Sequence, residues 1–177
     1  MYLLTLFIIL LDQVTKILTK IYLKGGNPDG GDRTLTIIKY VLKLTYVENP
    51  GMAFGIRIGN DVFFSIFTSL TSLVILYLLY KLKNKQYSIQ VALSLILAGA
   101  IGNLFDRIIY GKVVDFIYVE LIKWPVFNIA DIAVTIGMIV WITQVLFYSD
   151  EKKQQANEEE QEIWIDGEKV SSDKIIR

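Results

Sequence analysis

Long unbroken apolar runs, rather than alternation, dominate the chain. Four of them, residues 2–22, 62–80, 88–109 and 126–148, are long enough to cross a bilayer core, which needs about 20 helical residues at about 1.5 Å each. The second is the cleanest, with FFSIFTSLTSLVILYLLY free of charge between Asp61 and Lys81. The first carries no basic leader region and no small-residue cleavage site ahead of Asp12 and Lys16, so it reads as a retained helix. The connector 23–61 begins with the turn-rich GGNPDGGDR. Further on, Leu42, Leu44 and Tyr46 alternate with Lys43 and Thr45 in a strand pattern that Asn49, Pro50 and Gly51 terminate. The pattern predicts an all-α polytopic membrane protein with four transmembrane helices and a small extracytoplasmic β-sheet.

Orientation follows from the short connector KLKNKQY (81–87), whose three lysines place it in the cytoplasm by the positive-inside rule. Both termini are then cytoplasmic, and 23–61 and 110–125 face outward. Residues 1–148 form one membrane domain. Residues 149–177 form a charged cytoplasmic tail in which EKKQQANEEEQE is a solvated run and Asp166-Gly167 marks a short hairpin within 163–170.

Composition narrows the chemistry. The 177 residues have mean hydropathy +0.45, 18 basic and 18 acidic side chains, and neither cysteine nor histidine. That excludes a disulfide framework, a cysteine nucleophile, a Ser-His-Asp triad and the usual zinc ligand sets. No cofactor is implied. Residues 1–149 hold 13 basic and nine acidic residues, a mild excess too scattered for a nucleic-acid footprint. Carboxylates, hydroxyls, amides, lysine and arginine remain.

An ionisable residue in a spanning segment needs a partner or a function. In GNLFDR (102–107), Asn103, Asp106 and Arg107 share one helix face, and an Asp106–Arg107 ion pair is the plain structural reading. Asp115 lies in an outer loop, yet Val113, Val114, Phe116 and Ile117 flank it, an apolar setting unusual for a solvated acid. In FNIAD (127–131), Asp131 reads as a first-turn acid favoured by the helix dipole or as a functional carboxylate. Asn128, on the same face, serves as an N-cap or as a donor to a carboxylate. If the loop brings Asp115 to Asp131, two carboxylates share one proton, and one activates water while the other polarises a carbonyl. Asp12 and Lys16, at i and i+4, form an intrahelical pair with a supporting role. Asn49 and Gly51 read first as a strand-ending turn and second as a grip on a peptide.

Taken in order, DQVTK (12–16), NPGMAF (49–54), GNLFDR (102–107), GKVVDF (111–116) and FNIAD (127–131) resemble the motifs of lipoprotein signal peptidase, or signal peptidase II, a bacterial membrane aspartic protease family. The resemblance covers residues 1 to about 148. It implies four transmembrane helices and a catalytic pair at Asp115 and Asp131, with Asp12, Lys16, Asn49, Gly51, Asn103, Asp106, Arg107 and Asn128 in support. It implies a substrate, a diacylglyceryl-modified prolipoprotein cleaved before its lipidated cysteine, with membrane lipid as the other partner; the expected working unit is a monomer. It also implies the bacterial cytoplasmic membrane, with the site at its outer face. Met52 departs from the small residue usual there, and the tail is longer than the family leads one to expect.

Two other classes fit parts of the pattern. A small transporter would use Asp12, Lys16, Asp106, Arg107 and Asp131 as a polar path, although acids gathered at one end make a poor path across a bilayer. A non-catalytic scaffold would be indifferent to Asp115→Asn and Asp131→Asn. A Ser-Lys peptidase has no serine placed by pattern near Lys16.

Overall fold

The structure, a computed structural model, describes residues 1–27, 30–53, 56, 57, 61–84, 86–165, 168 and 169, with side chains described for residues 1–27, 30–51, 65–84 and 86–146. Helices occupy each predicted apolar run: α1 (Tyr2–Tyr22), α2 (Asp61–Lys81), α3 (Tyr87–Tyr110) and α4 (Ile129–Ile163). Three stretches, Tyr2–Tyr22, Tyr87–Tyr110 and Ile129–Leu146, are long and apolar enough to cross a membrane. The described apolar stretch of α2, Ser65–Lys81, is shorter. The fourth helix runs on through the charged segment, so the predicted tail begins as a continuation of α4.

Helix α3 is the central pillar, and its fit against α4 depends on small residues. A Cβ added to Gly99 would stand 2.2 Å from the Ala130 carbonyl oxygen, and one added to Gly137 would stand 2.8 Å from that of Ala92. Ala92, Ala98, Ala130 and Ala133 are buried along the same seam. Small residues let two backbones approach closely, which is how helices gain packing energy where lipid offers no hydrophobic drive. Between α2 and α3 the buried cluster is Ile75, Leu79, Leu93, Ile96 and Leu97, toward the short connector between the two helices. Outward faces stay apolar and exposed, as at Leu3, Leu6, Phe7 and Leu10 of α1 and Ile66, Phe67, Leu70 and Leu73 of α2.

Three strands, β1 (Leu35–Ile38), β2 (Leu42–Asn49) and β5 (Val113–Val119), make an antiparallel sheet in the order β1-β2-β5. The two-residue strands β3 (Met52–Ala53) and β4 (Ile56–Arg57) pair with each other, as do β6 (Trp164–Ile165) and β7 (Glu168–Lys169); the Asp166-Gly167 turn expected in the tail lies outside the described residues. The sheet reaches further than the alternation indicated. The second connector supplies β5, paired with β2 so that Val47 lies opposite Asp115 and Asn49 opposite Val113. The apolar flank of Asp115 thereby becomes core, with Val113, Val114 and Phe116 buried. Gly111 caps α3 at φ +70°, a left-handed conformation that suits glycine, and turns the chain into β5. After a 3-10 turn (Glu120–Ile122) the chain folds back. Phe127 bonds Ile117 in both directions, at 2.8 and 3.1 Å, and delivers Asn128 beside Asp115.

A clamp fixes the sheet to the helices. Glu48 of β2 accepts hydrogen bonds from Lys24 just beyond α1, from Lys112 in the α3–β5 turn and from the buried Tyr46 hydroxyl. These donors, Lys112 foremost, hold the Glu48 carboxyl down at about 2.

Candidate active site

The site lies where α1, α3, the start of α4 and strands β2 and β5 meet. Asn128 stands immediately before α4 and its side-chain oxygen accepts the Asp131 N–H at 3.0 Å, while Asp131 Oδ2 accepts the Asn128 N–H at 3.1 Å. This reciprocal pair is a capping box, satisfying two amides that a helix start leaves open. Asp131 is therefore a first-turn capping acid that also belongs to the polar cluster.

The same Asn128 reaches the other acid. Its Nδ2 donates to Asp115 Oδ1 at 2.7 Å, and Asn49 Nδ2 donates to Asp115 Oδ2 at 2.9 Å. Asn49 Oδ1 accepts the Gly51 N–H at 3.0 Å, closing a turn in which Gly51 takes φ +87°. Asn49 is thus both the strand-ending turn and a partner of Asp115. Asp115 is 3% exposed, and this burial pushes its carboxyl up to about 6. The Asn49 and Asn128 amides and the more distant Lys16 oppose the rise, and the negative charge of Asp131 adds to it.

Beneath this pair is a buried ionic cluster. Lys16 Nζ lies 2.8 Å from Asp12 Oδ2 and 2.8 Å from Asp106 Oδ2, and donates to Asn103 Oδ1 at 3.0 Å. Asp12 Oδ1 accepts the Ala130 N–H of α4 at 2.9 Å, so a carboxylate of α1 caps the start of α4 from outside. Gly102 makes room, since a Cβ there would stand 2.8 Å from Asp12 Oδ2. Asn103 Nδ2 completes the circuit by donating to Asp131 Oδ1 at 2.8 Å. Asp12 is level with the start of α4 but ten residues short of the end of α1, so the site is recessed about 15 Å below that end at the helical rise.

One reading from spacing is corrected. The cation beside Asp106 is Lys16 of α1 rather than Arg107, because residues i and i+1 on a helix diverge. Arg107 instead lines a groove between α2, α3 and α4. The groove, about 450 Å³, is bordered by Thr68, Thr71, Gly99, Asn103, Val134 and Met138, with Asp131 in its wall. A second cavity, about 310 Å³, reaches Asp131 from the side of Trp124, Phe127, Ile132 and Ile136. Spacing also passed over Gln13, whose Nε2 lies between Asp12 Oδ2, Asp106 Oδ1 and the Gly102 carbonyl. Its position three residues before Lys16, on the same helix face, was the available signal. Ala130, which acts through its backbone N–H, left no side-chain signal beyond its small size. The side chain of Met52 lies outside the described residues.

Comparison with known proteins decides the family. The sequence profile described as Signal peptidase (SPase) II matches residues 4–147. The chain belongs to the signal peptidase II family. A lipoprotein signal peptidase of Pelodictyon phaeoclathratiforme (strain DSM 5477 / BU-1) is 39% identical over 142 residues, covering 75% of this chain and 81% of the relative. One from Staphylococcus aureus (strain JH9) is 38% identical over 157 residues, covering 86% and 91%. A solved bacterial membrane enzyme superposes with a TM-score of 0.71 at 36% identity, over 85% of this chain and 89% of that one. A second does so with a TM-score of 0.68 at 38% identity, over 81% and 90%. As a signal peptidase II the chain is a lipoprotein-processing protease with apolar candidate membrane spans. Asp12, Lys16, Asn49, Asn103, Asp106, Asp115, Asn128 and Asp131 are joined in one hydrogen-bonded network, and Arg107 borders the groove beside Asp131.

Proposed function

We propose that this signal peptidase II is an aspartic endopeptidase that removes the signal peptide from diacylglyceryl-modified prolipoproteins by cutting before the lipidated cysteine. The observation that carries the reading is the shared tether: Asn128 bonds both Asp115 and Asp131, and Asp131 stands in the wall of an apolar groove. Asp115, pushed up to about 6 by burial, is the member that holds the proton. Asp131, which lines the groove where water and substrate can reach it, is the base. Asp131 takes a proton from water as the water attacks the scissile carbonyl. The Asp115 O–H polarises the carbonyl oxygen, and the proton gained by Asp131 passes to the leaving cysteine nitrogen as the C–N bond breaks. Asn49, Asn103 and Asn128 hold the two carboxyls, while Asp12, Lys16 and Asp106 anchor α1, α3 and α4 beneath them.

The same reading puts four helices across the bacterial cytoplasmic membrane, α2 included, with both termini in the cytoplasm and the site opening outward. The exposed apolar faces of all four helices support it, and so do the three lysines of the α2–α3 connector. The enzyme works as a monomer, with the acyl chains of its substrate remaining in lipid or groove. The test is a comparison of two substrates with the purified enzyme in detergent. The diacylglyceryl-modified prolipoprotein should be cut and the unmodified precursor left intact. Equal cleavage of both would remove the lipid from the recognition, and cleavage of neither would reject the protease reading.

A further inference from the structure

The polar network has a direction, and a buried cation helps to set it. Lysine carries three donors and no acceptor, so the Asn103 atom that faces Lys16 Nζ must be the amide oxygen. Asn103 therefore presents its NH₂ to Asp131 Oδ1 at 2.8 Å. The same oxygen also faces Asn128 at 3.1 Å, so the Asn128 atom there must be its NH₂, which continues to Asp115 Oδ1 at 2.7 Å. The Asn128 oxygen is left for the Asp131 N–H at 3.0 Å. Asn103 is thus fixed by Lys16 and by the Asn128 NH₂, while Asn128 is fixed independently by the Asp131 N–H and by the Val114 carbonyl at 3.4 Å. Lys16 itself cannot turn elsewhere: it is 3% exposed and held by Asp12 and Asp106 at 2.8 Å each.

Resting on the aspartic-protease reading above, we propose that Lys16 is a positioning residue for the reaction. It acts through Asn103 to keep an N–H donor aimed at Asp131, and so helps hold the pair with a single proton between them. With Lys16 gone, only the Asn128 NH₂ at 3.1 Å holds the Asn103 oxygen, and a turned Asn103 would face that oxygen toward Asp131, an arrangement satisfied only when the carboxyl is protonated. Loss of the cation acts in the same sense, since Lys16 is one of the groups opposing the rise at Asp115. The other charged groups about the pair are Asp12 on α1, Asp106 and Arg107 on α3, and the two aspartates on β5 and α4.

The test compares Lys16→Met/Asp106→Asn, which removes the cation together with one of its acids, with wild type and Asn103→Ala. Readouts are kcat, KM, the pH profile and Tm in detergent. The double variant should keep KM within about twofold, lose kcat by about 10- to 100-fold, and shift the alkaline limb of its profile to higher pH. Asn103→Ala leaves the Lys16 ion pairs in place and should show the same kcat loss and shift; it carries the test if the double variant does not fold. Wild-type kcat in Asn103→Ala overturns the proposal, as does a double variant whose activity falls only in proportion to its folded fraction with an unmoved profile. A wild-type enzyme that does not cut the lipidated precursor would instead reject the underlying protease reading.

Discussion

At the residue scale, Asn49 and Asn128 surround Asp115 with donors, and the depth of the acid sets its proton affinity. Burial raises Asp115 to about 6, and the Asn49 amide is the strongest influence holding it from rising further. Because its folded value lies above its ordinary value of 3.8, the stability it contributes is full below about pH 4 and is lost as the pH rises through about 6. Tm in detergent should fall across that window, and Asp115→Asn should flatten the fall. Cleavage that depends on the Asp115 proton should decline over the same rise, and Asn49→Ala should move the decline to higher pH, measured as kcat/KM against pH. An unmoved profile in Asn49→Ala would show that the limb belongs to another group. Most of these residues were legible in the sequence, because intramembrane acids and a carboxylate among valines stand out on cost alone. The partner of Asp106 was not, since a cation arriving from α1 leaves no trace in the spacing of α3.

At the element scale, the site depends on α3 and α4 touching. Gly99→Ala drives a methyl into the Ala130 backbone and should cost about 1–3 kcal/mol, read as a lower Tm, with kcat per folded enzyme less affected. Gly102→Ala meets Asp12, which caps Ala130 and pairs with Lys16, so it should lower kcat as well as Tm. Equal kcat in both variants would separate the ionic cluster from catalysis. Apolar run length located all four helices to within three residues of their starts, because a bilayer-length run has few alternatives. Strand β5 escaped, since VVDFIYV is short and apolar on both faces, with no alternation to distinguish it from loop or helix. Its pairing with β2, more than 60 residues away in sequence, is a tertiary choice.

At the scale of the whole molecule, the family match ends at residue 147, where the described part of the site is already complete. Deleting residues 149–177 should leave the cleavage rate of the lipidated precursor within about twofold of wild type, in the range expected when no transition-state contact is removed. A larger loss would give the charged extension a role in catalysis. Asp115 and Asp131 should work as one pair, which can be checked by cleavage of a diacylglyceryl-modified prolipoprotein by wild type, Asp115→Asn and Asp131→Asn, followed by gel shift with Tm measured alongside. Both variants should remain folded and both should cease to cut; a folded variant of either that still cuts would exclude a catalytic pair.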